Sequence, residues 1–289
     1  MTHTQEEPDE PDEPDEPVQW GTRVRPNNGV PVVLTDRPPT EPARLVDDFT
    51  PALIDVGAHH LCPGCGEPVA MRSVLEVIDE LELAQRTIAV FGIGCYTAFS
   101  NNLDVEVLQA LHGRAPSVAT GAKRARPETV VFTIQGDGDM VNEGLQEVIH
   151  TAARGENVTC IMLNNGVFGE TGGHLTSTTV LGQRTKNSLA GRTAAEHGYP
   201  ILLSNLLAQL EGAAYVARGA VNTAGNVART KKMLHRAVET QLEGREFSFV
   251  EILTMCPTGW FVETQEAPDY LESNLGAVHA SGVLKDAGS

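Results

Sequence analysis

The sequence predicts a doubly wound α/β fold built on a mainly parallel sheet, and three observations point there. From about residue 50, short apolar runs alternate with amphipathic segments of helical period. Two of the apolar runs end in polar turns, Gly136-Asp137-Gly138 and Asn164-Asn165, with a helical segment between them. The 289 residues are 41% hydrophobic, enough for a real core in one large α/β domain or two small ones.

In chain order, residues 67–83 carry helical periodicity in Val69, Val74, Leu75, Ile78 and Leu81. Residues 87–93 read as a buried strand running into Gly94-Cys95. Residues 103–111 read as a helix, and 116–123 open another short one. A strand at 130–134, a helix at 143–153 and a strand at 158–163 form one βαβ unit. A polar, glycine-rich stretch (166–191) follows. Then come a helix at 202–210, a strand at 214–221, a helix at 226–242 with Asn226 as its cap, and a last strand at 247–254.

The net charge is −17, and residues 1–17 supply eight acids with no Lys or Arg, leaving −9 for the rest. That tail repeats Asp-Glu-Pro three times and is too charged and proline-rich to bury a core, so it is expected to be disordered. Residues 18–48, with Pro26, Asn27, Asn28, Gly29, Pro31, Pro38, Pro39 and Pro42, read as an irregular arm. The acidic balance argues against nucleic acid as a partner. No apolar run reaches the length of a membrane span and no signal peptide opens the chain, so the expected location is cytoplasmic. Five cysteines, an odd number, argue against a disulfide framework and raise metal or cluster ligation instead.

In a βαβ unit both strands run the same way, so Gly136-Asp137-Gly138 and Asn164-Asn165 emerge on one sheet edge. Asp137 there offers a charged oxygen and Asn165 a neutral one, hard ligands suited to magnesium. The glycines let backbone amides approach phosphate oxygens. Ordinary turns at two strand ends are the simpler alternative.

The paired motif resembles the thiamine diphosphate (TPP) signature. A wider set of motifs resembles the β, TPP-binding, subunit of 2-oxoacid:ferredoxin oxidoreductases. These are His60-Leu61-Cys62-Pro63-Gly64-Cys65-Gly66, Gly92-Ile93-Gly94-Cys95, His112-Gly113-Arg114-Ala115-Pro116, the metal motif, the run from Asn164 through Gly173, and Cys256-Pro257-Thr258-Gly259-Trp260. The resemblance spans about residues 58–260 and is closest in pattern to members acting on branched-chain 2-oxoacids or 2-oxoglutarate. It implies the TPP-binding fold for residues 49–265, with 266–289 as a C-terminal extension.

The resemblance further implies that Asp137, Asn165 and the Val167 carbonyl ligate Mg2+, and that Cys62, Cys65, Cys95 and Cys256 bind a 4Fe-4S cluster. It places Ile93, Gly94, Cys95, His112, Gly136, Asp137, Gly138, Asp139, Asn165, Val167, Gly169 and Thr171 at the cofactor. Thiolates and a Cys-x-x-Cys turn suit a cluster, though the same four would suit zinc or a redox pair. Cys160, inside a strand, reads as core.

The implied activity is oxidative decarboxylation of a 2-oxoacid with coenzyme A to acyl-CoA and CO2, electrons passing through the cluster to ferredoxin. No catalytic residue is assigned in this chain, because the activating Glu is expected from a separate α subunit. The implied assembly is an αβ dimer of dimers, with γ or δ subunits as further possible members, and no membrane. The rival is a non-redox TPP-dependent decarboxylase subunit with structural zinc, or no metal, at the cysteines. Tyr96-Thr97 and His174 depart from the family's usual residues, which leaves substrate choice open.

Overall fold

The computed structural model describes residues 59–288 and the backbone of two strands within 23–34. The acidic tail lies outside the described residues. The chain divides into two units, Met1–Asp48 and Phe49–Ser289. In the first, β1 (Arg23–Asn27) pairs antiparallel with β2 (Val30–Leu34). The irregular arm expected there thus contains a hairpin. The two intervening residues, Asn28 and Gly29, are a pair that favours a two-residue hairpin connection.

In the second unit, α1 (Glu67–Glu80) precedes β3 (Thr87–Phe91), β4 (Glu106–Gln109) and α2 (Ala115–Ala125). Next come β5 (Val130–Gly136), α3 (Leu145–Ala153) and β6 (Thr159–Asn164). A small hairpin of β7 (Val167–Phe168) and β8 (His174–Leu175) leads to the short helices α4 (Ala194–His197) and α5 (Leu203–Leu207). β9 (Ala213–Ala220), α6 (Ala224–Leu242) and β10 (Phe247–Leu253) complete the parallel part. The chain then adds α7 (Pro257–Trp260), α8 (Ala267–Ser273), α9 (Leu275–Val278) and β11 (Gly282–Asp286).

Seven strands form one sheet in the order β11-β9-β10-β6-β5-β3-β4. All neighbours are parallel except β11, which closes one edge antiparallel to β9. Each central strand is buried on both faces, so its side chains divide by period two between two cores. Val130, Phe132 and Ile134 of β5 pack with α1 and α6, whereas Val131 packs with α2, α3 and α5. β10 divides the same way, with Val250 and Ile252 on the first face and Phe247 and Phe249 on the second. This is the expected doubly wound, mainly parallel fold. Among the described residues, no helix is long and apolar enough to cross a membrane.

Two local expectations fail for identifiable reasons. The helix expected at 103–111 is the edge strand β4, paired with β3. Its buried Leu103 and Val105, with half-buried Val107, recur with period two, which a scan for helical period overlooked. The cap of α6 is Thr223, whose hydroxyl accepts the Asn226 N–H at 3.2 Å; Asn226 lies inside the first turn. In addition, the segment expected as a helix from 143 begins earlier, as a π-helical turn at Gly138–Glu143 that runs into α3.

Candidate active site

β3 and β5 are neighbours, but the chain leaves β3 toward β4 and leaves β5 toward β6, on the opposite side. A crevice opens at such a reversal, outside the C-terminal strand ends. The register sets Gly136 beside Leu163 and Ile134 beside Phe91, so three strand-end loops meet there. All twelve residues expected at the cofactor line this one cleft. Ile93, Gly94 and Cys95 follow β3; Gly136 ends β5, with Asp137, Gly138 and Asp139 after it. Asn165, Val167, Gly169 and Thr171 follow β6, and His112 enters from the loop before α2.

Asp137 is buried, with 1% of its surface exposed. Its Oδ1 accepts the Asn165 N–H at 3.3 Å and its Oδ2 the Thr178 hydroxyl at 2.5 Å. Burial raises its pKa, opposed by the Thr178 and Thr176 hydroxyls and the Asn165 amide. All of these donors are neutral, so a buried carboxylate charge at this point calls for a cation.

The two asparagines have different surroundings. Asn164 donates to Glu251 Oε1 at 2.7 Å and accepts the Gly166 N–H at 3.0 Å, which ties it into the scaffold. Asn165 lies on the cleft, its Oδ1 accepting the Val167 N–H at 3.0 Å and its carbonyl accepting the Trp260 indole N–H at 2.7 Å. A buried carboxylate, a carboxamide oxygen and a nearby main-chain carbonyl form a donor set that fits Mg2+.

Asp139 is differently engaged. Its Oδ1 accepts the Gly113 N–H at 2.9 Å and lies 3.1 Å from His112 Nδ1; its Oδ2 accepts Gln135 Nε2 at 2.7 Å and the Tyr96 hydroxyl at 3.2 Å. Its carboxylate therefore pins the His112 loop to β5. His112 Nδ1 also lies 2.7 Å from Glu143 Oε2, so the ring sits between two carboxylates. Gly113, with φ of +73°, makes this approach possible: a Cβ there would sit 2.2 Å from the Glu143 carbonyl oxygen. At Gly138 a Cβ would meet the Phe168 ring at 2.3 Å, so the ring packs directly on the backbone there.

Four cysteines converge beside the cleft. Cys62 and Cys65 share a turn closed by the Cys65 N–H on the Cys62 carbonyl at 3.1 Å, just before α1. Cys95 follows β3 and Cys256 precedes α7. A Cβ on Gly169 would touch the sulfurs of both Cys95 and Cys256, at 3.4 and 3.6 Å. Burial pushes the Cys256 thiol up to about 12, opposed by a Gly259 main-chain contact and reinforced by Glu67 and Cys62. Burial, then Glu67, also raises Cys65 and Cys95, and each feels Cys256. Four thiolates brought to one place form a donor set that fits a polynuclear cluster or zinc. Cys160 is fully buried in β6, as expected of a core residue.

Glu67 was not legible as a site residue. It opens α1 directly after Cys65-Gly66, where an acid reads as an ordinary helix-start residue. Yet it is buried in the cleft, and its Oε2 has no hydrogen-bond partner. Burial pushes its pKa up to about 8, with Asp137 and Glu170 adding to the effect. Phe168 and Glu170 also line the cleft unforeseen, as does Tyr96, one of the departures tied to substrate choice. The Tyr96 hydroxyl is committed to Asp139, whereas His174 lies 2.9 Å from the Thr171 hydroxyl at the cleft.

Residues 92–252 match the family model for the thiamine pyrophosphate enzyme, C-terminal TPP binding domain. The chain is 35% identical over 218 residues to ketoisovalerate oxidoreductase subunit VorA of Methanothermobacter marburgensis, covering 75% of this chain and 46% of that one. It is 33% identical over 214 residues to 2-oxoglutarate synthase subunit KorB of Archaeoglobus fulgidus, covering 74% and 76%. It thus spans about half the length of the VorA relatives it matches. A solved 2-oxoglutarate:ferredoxin oxidoreductase from Magnetococcus marinus shares the fold with a TM-score of 0.70 at 23% identity, over 86% of this chain and 88% of that one. By the matched domain and by these relatives, the chain belongs to the thiamine pyrophosphate enzymes, among the TPP-binding subunits of 2-oxoacid:ferredoxin oxidoreductases.

Proposed function

We propose that this chain is the TPP-binding subunit of an enzyme that converts a 2-oxoacid and coenzyme A to acyl-CoA and CO2, with electrons leaving through a 4Fe-4S cluster to ferredoxin. The observation that carries the proposal is the meeting of two donor sets at one cleft. Oxygen donors from Asp137, Asn165 and Val167 lie on it, and Cys95 lines it while facing Cys256 across Gly169. Electrons from a reacting centre in the cleft would have a short path to the thiolate site.

In this proposal Asp137, Asn165 and the Val167 carbonyl hold Mg2+ on the diphosphate, and Cys62, Cys65, Cys95 and Cys256 hold the cluster. When bound, TPP supplies a nucleophilic thiazolium carbon and an electron sink for decarboxylation. The chain's own residues do the holding. Gly138 presents backbone to the diphosphate, and Asp139 fixes the His112 loop against it. Glu67 keeps a proton at a buried oxygen that lacks a protein partner. Phe168 and Tyr96 wall the cleft and limit water there.

A separate α subunit supplies the activating carboxylate and the clamp for the substrate carboxylate, and the assembly works in the cytoplasm. The relatives are named for ketoisovalerate and 2-oxoglutarate, which makes these the two 2-oxoacids to test first.

The test is co-expression with the α subunit and anaerobic purification. Iron, acid-labile sulfide and zinc are then assayed per chain, and ferredoxin reduction is followed with each 2-oxoacid. About four iron and four sulfide per chain, with reduction that requires coenzyme A, would support the proposal. Zinc without sulfide, or decarboxylation without ferredoxin reduction, would favour the non-redox decarboxylase.

A further inference from the structure

Behind the metal-binding loops lies a buried ionic cluster that none of these cofactor roles uses. Glu251 of β10 and His279, just after α9, are fully buried, and Arg218 of β9 is nearly so. Arg218 Nε donates to Glu251 Oε2 at 2.7 Å, and the Ser204 hydroxyl donates to the same oxygen. Asn164 Nδ2 donates to Oε1 at 2.7 Å, and His279 Nδ1 lies 3.3 Å from that oxygen. On its other side, His279 Nε2 lies 3.1 Å from the Thr178 carbonyl oxygen. Thr178 in turn donates its hydroxyl to Asp137.

The partners of His279 fix its ring. A carbonyl oxygen only accepts, so Nε2 presents its N–H to Thr178. At Nδ1 the neighbour is the Glu251 carboxylate, 3.3 Å away but not hydrogen-bonded to it. Burial alone would push that carboxyl up, but His279, Arg218 and Ser204 hold it well below the usual carboxylate range.

Geometry extends the cluster to the cleft. Through Asn164, whose Oδ1 accepts the Gly166 N–H, Glu251 orients the loop that carries Asn165 and Val167. Through His279 it holds Thr178. The Thr179 hydroxyl and Gln183 Nε2 both donate to the Gly166 carbonyl, at 2.6 and 3.2 Å, and lock the two loops together.

We propose that His279, buried between Glu251 and the Thr178 carbonyl, is a positioning residue for the magnesium–diphosphate site, acting through Thr178 to fix Asp137. The C-terminal segment is then a working part of the metal site rather than an appendage. The inference rests on the reading of Asp137 as a magnesium ligand.

The experiment uses the full chain and two independent readouts. The first is the 1H–15N signal of the His279 ring. A proton on Nε2 protected from solvent exchange is expected, and an Nε2 without a protected proton would overturn the proposal. The second is the Mg2+ concentration that half-saturates TPP binding. Tryptophan fluorescence can follow it, because the Trp260 indole donates to Asn165. His279→Leu removes the donor to the Thr178 carbonyl, and about a tenfold rise in half-saturating Mg2+ is expected. Thr178→Val leaves the ionic cluster intact, cuts its link to Asp137 and is expected to give a similar rise. Wild-type Mg2+ dependence in Thr178→Val, or in a folded His279→Leu, would overturn the proposal. If the unaltered chain binds no TPP in Mg2+, the underlying reading of Asp137 fails, and the ring signal still judges the His279–Thr178 contact.

Discussion

Asp137 and Glu67 are the two carboxyls that burial works against. Asp137 holds its charge against neutral donors alone, so removing that charge should relieve the metal-free chain while disabling the site. Asp137→Asn is expected to raise the denaturation midpoint of the metal-free chain and to weaken Mg2+-dependent TPP binding by about 100-fold. A destabilised variant with intact binding would contradict the assignment.

For Glu67 the sign follows from a carboxyl raised from near 4.5 to about 8 in the fold. Between those values the unfolded chain has lost the proton and the folded chain keeps it, so stability falls as pH rises through that window. The effect is on the order of 3–5 kcal/mol, fully felt above the folded value. Urea midpoints of the metal-free chain should decline from pH 5 to 8, and Glu67→Gln should flatten the decline. The twelve expected cleft residues were legible because they lie in the motifs that carry the resemblance, and the Gly136-Asp137-Gly138 and Asn164-Asn165 turns also by their own chemistry. Glu67, Thr178 and His279 were not. Thr178 meets Asp137 from 41 residues away, and only the fold brings them together.

At the scale of elements, hydrophobic period placed most helices and strands within a few residues. Where it failed, a competing local signal was present. Leu103, Val105 and Val107 alternate as a strand does, and Thr223 precedes Asn226 as a better-placed cap. The cap is testable: Thr223→Ala should cost about 1 kcal/mol in chemical denaturation and Asn226→Ala less; the reverse order would restore Asn226 as the cap. Gly113 ties the His112 loop to the π-helical turn by backbone contact, a feature that spacing alone does not reveal. Gly113→Ala combines a positive φ with a 2.2 Å clash, so a loss of about 2–3 kcal/mol is expected. Weaker TPP binding should accompany it. A thermally unchanged variant would show that the loop can move.

The molecule as a whole places two chemistries at one strand-order reversal. The two-sided core of a mainly parallel sheet supports that edge, and the C-terminal strand β11 closes the far edge while His279 contacts the Thr178 carbonyl. That topology was legible in the alternation of strands and helices. The C-terminal contribution was not, because α8, α9 and β11 lie beyond the motifs that carried the resemblance. The central claim is that the cleft is a Mg2+–TPP site, and calorimetric titration of TPP into the full chain, with Mg2+ and then with chelator, tests it most directly. Binding near one TPP per chain in Mg2+, abolished by chelator and by Asp137→Asn, is the expected result. No binding, or binding indifferent to both Mg2+ and Asp137, would contradict it.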